Sequence, residues 1–250
     1  MEIISIYIKK GGSGKTTTTH SLAAALTELG KKVLVIDLDP QGSLSFLMTE
    51  NEVERDINHV LNGLIPLKDC IMKGENFDFI SATLELTKTE RDLASIWDRE
   101  SILKSALESS DIKNDYDYCL IDCPPDFGTL TLNALTASDS LLIPCQCEPL
   151  AIDGLNQFLQ VLEMSKETFN PNLEIKGIIP TMLKTRAEVS KESYNFLKDR
   201  YEEFGVFSPI RENTKLKELG VDKKTIFEIS KRSLGARDYM IVAKELINGI

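Results

Sequence analysis

Nothing in this sequence is apolar for long enough to cross a bilayer, and no leader-like segment precedes Glu2-Ile3-Ile4, where a strand-like run starts at once. A cytoplasmic chain is therefore expected. Any C-x-x-C pair is also missing. The five cysteines are Cys70, Cys119, Cys123, Cys145 and Cys147, and four of them lie in or beside apolar runs, where a thiol serves as a small hydrophobe. This argues against a disulfide framework or a cysteine metal site and fits a reducing compartment. Positive charge is scarce: 29 Lys and Arg oppose 39 Asp and Glu, a formal net charge of −10, which excludes a protein that coats nucleic acid with its whole surface. No internal repeat, low-complexity linker or Pro/Ser-rich hinge divides the 250 residues. One domain, 1–250, is expected, of a size commonly taken by a single α/β sheet.

What the sequence does contain is a strand, a glycine-rich turn and a helix start in direct succession. The apolar run Ile3 to Ile8 leads into Lys10-Gly11-Gly12-Ser13-Gly14-Lys15-Thr16-Thr17. From Lys15 the pattern turns helical, with Leu22, Ala25, Leu26 and Leu29 on one stripe and Gly30 as a stop. Such a turn aims successive backbone N–H groups and the positive end of a helix dipole at one spot, which suits a polyphosphate. The general phosphate-loop pattern places a Gly five positions before Gly-Lys-[Ser/Thr]. Gly14-Lys15-Thr16 fits, but Lys9 stands at the first position.

Further apolar runs are Val33 to Ile36, ending in Asp37-Leu38-Asp39-Pro40-Gln41-Gly42, then Tyr118 to Ile121 ending in Asp122, Leu141 to Ile143 ending in Pro144, and Ile175 to Ile179 ending in Pro180. Their lack of polar alternation suits strands covered on both faces, so the fold class is α/β: a doubly wound, mostly parallel sheet flanked by helices. The carboxyl ends of such strands face the ligand crevice, and these polar loops should gather there. Residues 43 to 115 are the least regular, with Phe77-Asp78-Phe79-Ile80 as a candidate short strand.

Charge is unevenly spread. Residues 176 to 250 carry 15 Lys and Arg against 11 Asp and Glu, while residues 1 to 175 carry 14 against 28. Any anion-binding surface beyond the glycine loop belongs in the C-terminal third.

The loop with Lys10 ahead of its glycines resembles the deviant Walker A loop of the ParA/MinD class of ATPases. Leu130 to Leu135, Ile143-Pro144-Cys145-Gln146-Cys147-Glu148 with Gly154-Leu155, Pro180-Thr181-Met182 with Arg186, and Ser233-x-x-Ala236-x-x-Tyr239 extend the likeness over nearly the whole chain, closer to ParA/Soj partition ATPases than to MinD. The resemblance implies ATP and Mg²⁺ as cofactors and a homodimer formed in ATP. It also implies roles residue by residue. Lys10 would reach the partner's phosphates, Lys15 would neutralise the β/γ-phosphates, and Thr16 would ligate Mg²⁺; Gly11, Gly12, Ser13, Gly14 and Thr17 would cradle the inner phosphates. Asp122 would be the Walker B aspartate, Asp39 would orient the attacking water, and Asp37 would support Mg²⁺ or the loop. Glu148 would touch the partner's nucleotide, and Thr181, Pro209 and Arg211 would lie near adenine. Arg186 and Lys215 match family DNA contacts; Lys184, Lys217, Lys223, Lys224, Lys231 and Arg232 could extend that patch. Departures are His20 where Asn is usual and Glu212 where a basic residue is frequent.

By the same resemblance the chain is a DNA-segregation ATPase of the nucleoid-associated cytoplasm. It would bind double-stranded DNA without sequence preference and be released when a ParB-like centromere-binding partner stimulates hydrolysis. There is no room for an N-terminal helix-turn-helix domain, so DNA contacts would come from Lys and Arg on the dimer face. Alternatives are a nucleoid-riding ATPase that positions a protein cargo and a MinD-like membrane-associated ATPase. The apolar-rich Tyr239 to Ile250 speaks against the latter, which would end in a basic amphipathic helix.

Overall fold

A computed structural model describes residues 1–50 and 53–250. Six strands form one sheet: β1 (Glu2–Ile6), β2 (Val33–Asp37), β3 (Asp78–Ile80), β4 (Tyr118–Asp122), β5 (Ser140–Gln146) and β6 (Glu174–Thr181). Their spatial order is β3-β2-β4-β1-β5-β6, and every pairing is parallel. From β1 the chain moves to one side for β2, β3 and β4 and then crosses to the other for β5 and β6. β1 thus sits at the reversal of winding, where a doubly wound sheet opens a crevice beyond its carboxyl ends.

The unalternated strand runs are explained by two cores. Leu34, Ile36, Cys119, Ile121, Leu141 and Ile143 face one of them, together with residues from the helices Ile102–Ser109, Thr129–Ala137 and Pro149–Phe169. Val33, Val35, Leu120, Leu142 and Ile179 face the other, under the helices Lys15–Glu28 and Leu234–Asn248. All five cysteines are buried free thiols. No described helix is long and apolar enough to cross a membrane.

Several boundaries differ from the sequence reading. β1 ends at Ile6, two residues before the apolar run does, with Tyr7 N making its last contact to β5. Pro144 and Pro180 lie inside β5 and β6 rather than closing them. For Pro144 the reason is geometric. The Leu142 carbonyl accepts from Tyr7 N at 3.1 Å, so Pro144, two residues on, faces the same way, at a level where β1 has already left the ladder. No donor is needed there.

The Lys15–Glu28 helix is also more enclosed than a single stripe: residues 18 to 26 are all buried. The Leu234–Asn248 helix covers its second face, and the Tyr239 hydroxyl meets Thr18 Oγ1 at 3.1 Å. Ser233 caps that last helix by accepting from Ala236 N. The closing Ser233-x-x-Ala236-x-x-Tyr239 pattern is therefore a cap, a small packing residue and an anchor on the helix of the glycine loop. The irregular stretch holds the short helices Ser43–Met48, Ile57–Leu61, Leu86–Leu93 and Ile102–Ser109, with β3 at the sheet edge.

His20 lies on the enclosed helix, edge-on to the Phe77 ring, and its Nδ1 has no hydrogen-bond partner among the described residues. Burial pushes its pKa down to about 4, only partly offset by Glu228. Between pH 6.5 and 4 the unfolded chain then binds a proton that the folded chain refuses, so stability falls as pH drops through that window. His20→Asn should flatten this limb by up to about 3 kcal/mol, read from denaturant midpoints at about pH 7 and about pH 4.5. An unchanged pH slope would show that His20 is not buried neutral.

Candidate nucleotide site

The loop between β1 and the Lys15–Glu28 helix turns on two glycines in the left-handed region, Gly12 (φ 72°) and Gly14 (φ 92°), which a side chain would strain. Gly14 is the N-cap, no side chain caps the helix and no acid occupies its first turn. The first-turn N–H groups are left for an anion. Ser13 Oγ, in the same loop, is buried without a hydrogen-bond partner among the described residues.

The two lysines of the loop point to different places. Lys15 folds inward and donates from Nζ to the carbonyls of Ile8 and Lys10, both at 3.3 Å. Burial lowers its pKa, and the Asp122 charge pulls it back up. Lys10 reaches out along the sheet end and donates to Gln146 Oε1 at 2.7 Å.

Beneath the loop two carboxylates lie side by side. Asp37 and Asp122 end β2 and β4 in register, and both are buried. Asp122 accepts from Thr16 Oγ1 at 2.7 Å and from Thr19 Oγ1 at 3.3 Å. Asp37 accepts from Ser45 N, Ser45 Oγ and Asp39 N at 2.8, 2.7 and 3.0 Å. Burial pushes the Asp37 carboxyl up to about 6. Asp122 is raised well above the carboxylate range, by burial first and then by the charge of Asp37. Two buried acids with one buried lysine, beside a threonine hydroxyl, are short of positive charge, and the donor set suits a hard cation with oxygen ligands. No cluster of three His, Cys, Asp or Glu exists among the described residues to hold a metal alone. A cation here would share its shell with Thr16, waters and phosphate.

Asp39 is partly exposed after β2, accepts from Gln41 N at 2.9 Å, and acts on Lys15 through its charge. Asp37 has both oxygens engaged in holding the Asp39–Ser45 turn, so it shapes the loop that carries Asp39.

Residues implied around the base fall at the ends of β5 and β6. Thr181 Oγ1 donates to Ser13 O at 2.9 Å, and Gln146 Nε2 donates to Gly12 O at 2.8 Å. These two strand ends hold the glycine loop from the side. Met182, next in the chain, takes a left-handed φ of 55°. Pro209 is part-buried, and its neighbour Ile210 donates to Pro180 O. Arg211 is clamped by Asp238, which accepts from both its backbone N–H and its guanidinium. Glu148 caps the Pro149–Phe169 helix by position and pairs with Lys184 at 3.5 Å.

The basic candidates are mostly paired as well: Lys215 with Glu218, Lys217 with Glu212, Lys223 with Glu50 and Lys231 with Glu28. Arg186, Lys224 and Arg232 make no ion pair with a described residue; Arg186 and Arg232 are exposed. Sequence reasoning missed Thr19, Ser45, Asp238 and the role of Gln146. Of these Gln146 and Asp238 lay inside stretches already singled out, Asp238 at an unspecified position of the Ser233-x-x-Ala236-x-x-Tyr239 pattern.

A glycine loop on a helix N-terminus, a lysine within it and a threonine on a strand-end aspartate define a P-loop nucleoside triphosphatase. A family model described as an AAA domain (AAA_31) matches residues 1–175. The sporulation initiation inhibitor protein Soj of Bacillus subtilis is 39% identical over 249 residues, 98% of each chain. The chromosome partitioning protein ParA of Caulobacter vibrioides is 33% identical over 252 residues, 99% of this chain and 94% of that one. Among solved structures, a Cyanothece McdA variant in complex with ATP has a TM-score of 0.87 at 25% identity, covering 99% of this chain and 96% of that one. A Mycobacterium smegmatis protein described as cobyrinic acid a,c-diamide synthase, with bound ATP analogue and magnesium, has a TM-score of 0.85 at 33% identity, covering 99% and 94%. This chain belongs to the ParA/Soj family of P-loop ATPases.

Ser45 offers a test of the acid pair's support. Its hydroxyl donates to Asp37 and accepts from Ala82 N at 2.7 Å, tying β2 to the turn after β3. Ser45→Ala leaves a buried N–H unsatisfied and should destabilise the fold by about 2–3 kcal/mol in denaturant titration. Wild-type stability would contradict the described network.

Proposed function

We propose that this chain is an ATP-dependent DNA-segregation ATPase. ATP and Mg²⁺ drive two protomers into a sandwich dimer; the dimer binds DNA nonspecifically, and hydrolysis stimulated by a ParB-like partner returns monomers. The observation that carries this reading is the divergence of the two loop lysines. Lys15 is folded inside its own loop, while Lys10 is partly exposed and donates outside the loop to Gln146 at the end of β5, a placement that suits service to another subunit.

Within one protomer the loop amides and the helix N-terminus bind the phosphates, and Lys15 neutralises the β/γ oxygens. Mg²⁺, when bound, would supply further neutralisation of the phosphate charge. Thr16 and Asp122 would hold it, the threonine hydroxyl turning from its present hydrogen bond. Gly11, Gly12, Ser13, Gly14 and Thr17 line the cradle. Asp39 orients the water for attack, on a turn whose shape Asp37 and Ser45 maintain. Thr181 and Pro209 to Arg211 border the base, and Glu148 meets the partner's nucleotide.

Asp39→Ala removes the water-orienting carboxylate and no phosphate contact. It should accumulate an ATP-bound dimer on DNA with turnover reduced by orders of magnitude, measured as phosphate release alongside DNA retention. Normal hydrolysis would overturn the assignment.

DNA binding falls to Arg186 and Lys215, flanked by Lys184, Lys217, Lys223 and Lys224. Because most of these lysines are paired internally, phosphates must displace carboxylates, and one protomer's patch should bind weakly. Dimerisation places two patches on one face and raises avidity through effective concentration. Binding should therefore require ATP, show no sequence preference and weaken with salt, each lost contact lowering the log–log slope by about 0.9. Arg186→Glu or Lys215→Glu should abolish filter binding while sparing dimers. Equal binding without ATP would refute the nucleoid-riding mechanism.

A cargo-positioning ATPase would use the same site, and the McdA likeness keeps that reading in view. Identification of the partner that stimulates hydrolysis decides between them. A MinD-like membrane role is disfavoured, since Ala236, Tyr239, Val242, Ala243 and Leu246 of the last helix are buried in the core on the Lys15–Glu28 side of the sheet.

A further inference from the structure

The contact between Lys10 and Gln146 has consequences beyond loop architecture. Gln146 ends β5 and uses both ends of its amide: Oε1 accepts from Lys10 Nζ at 2.7 Å, and Nε2 donates to Gly12 O at 2.8 Å. Its position is set by register, since Gln146 lies opposite Thr181 of β6, and the Thr181 carbonyl accepts from Cys147 N at 3.0 Å just beyond. The amide is thus anchored to the end of a parallel ladder. Its donor side is fixed by the Gly12 carbonyl, so its oxygen faces the lysine. Lys10 has no carboxylate partner among the described residues; a neutral amide is its one side-chain contact. A carboxylate there would hold the ammonium through an ion pair, whereas an amide holds it by a single charge-assisted hydrogen bond, strong enough to order the side chain and weak enough to yield to a phosphate.

We propose that Gln146 is a positioning residue that parks Lys10 within its own protomer and sets the threshold for nucleotide-driven dimerisation. The inference rests on the proposed cross-subunit role of Lys10. To reach a partner's phosphates Lys10 must leave Gln146, and in a symmetric dimer two such contacts break. If each is worth about a fivefold bias toward the parked lysine, the dimer constant carries the square, about 25-fold.

Two substitutions separate parking from simple bracing of the loop. Gln146→Ala and Gln146→Glu both lose the donor to Gly12 O; glutamate also sets a negative charge beside that carbonyl, so the ATPγS affinity of each monomer is measured alongside, and equal affinities assign any difference in dimerisation to Lys10. They act oppositely on Lys10: alanine releases it, and glutamate binds it more tightly. At saturating ATPγS and Mg²⁺, sedimentation velocity should place the monomer–dimer midpoint of Gln146→Ala at least about tenfold below that of Gln146→Glu in protein concentration, with wild type between. In a Lys10→Ala background neither variant should dimerise, so the difference between them should vanish. Midpoints of the single variants that move together, or do not move, would overturn the parking role and leave Gln146 as a brace. Dimers formed by Lys10→Ala alone would instead overturn the cross-subunit reading, and the parking role with it.

Discussion

Two buried carboxylates at neighbouring strand ends, Asp37 and Asp122, set the terms for everything around the glycine loop. Adjacent parallel strands lie about 5 Å apart, and two unit charges at that separation would repel by roughly 3 kcal/mol at an effective dielectric constant of about 20; burial and this repulsion together raise the Asp122 carboxyl well above the usual range. The fold tolerates the pair because each is enclosed by donors. Thr16 and Thr19, one helical turn apart on one face, serve Asp122; Ser45 and the Asp39 amide serve Asp37. Lys15 supplies the nearest positive charge. The arrangement remains short of cations, and so it is prepared for a polyphosphate that arrives with its own metal ion.

The same economy of position runs to the other end of the chain. The Leu234–Asn248 helix touches the site only indirectly, yet it anchors three of its supports. Tyr239 meets Thr18 on the loop helix, Asp238 clamps Arg211, and Glu245 accepts from both the N–H and the hydroxyl of Ser208. The loop helix and the Ser208–Arg211 segment are thereby tied to one helix. Arg211, with its charge taken up by Asp238, shapes that segment rather than offering a free cation.

Much of this was legible in the residues. The β1 run, the glycines, Lys15-Thr16 and the acid at the end of β4 follow local rules in which the chemistry and the backbone demand coincide, and the structure brings Thr16 onto Asp122 across 106 positions of chain. Strand ends at proline were misjudged because a proline's tolerance depends on which side of a strand is unpaired, and that is a property of the sheet. Ser45, Asp238 and Thr19 carried no signal, since each matters only through a partner distant in sequence or on the next turn. The basic residues of the C-terminal third were legible as a surplus, but their pairing with Glu28, Glu50, Glu148, Glu212 and Glu218 depends on the fold.

The central claim is that the acid pair and the loop form one site completed jointly by nucleotide and a divalent cation. Thermal unfolding with an ATP analogue, in Mg²⁺ and in EDTA, tests it most directly. Ligand bound to the native state raises the midpoint according to its concentration over its dissociation constant, so nucleotide with Mg²⁺ should raise it well beyond the sum of the two separate shifts. A shift just as large in EDTA would contradict the account.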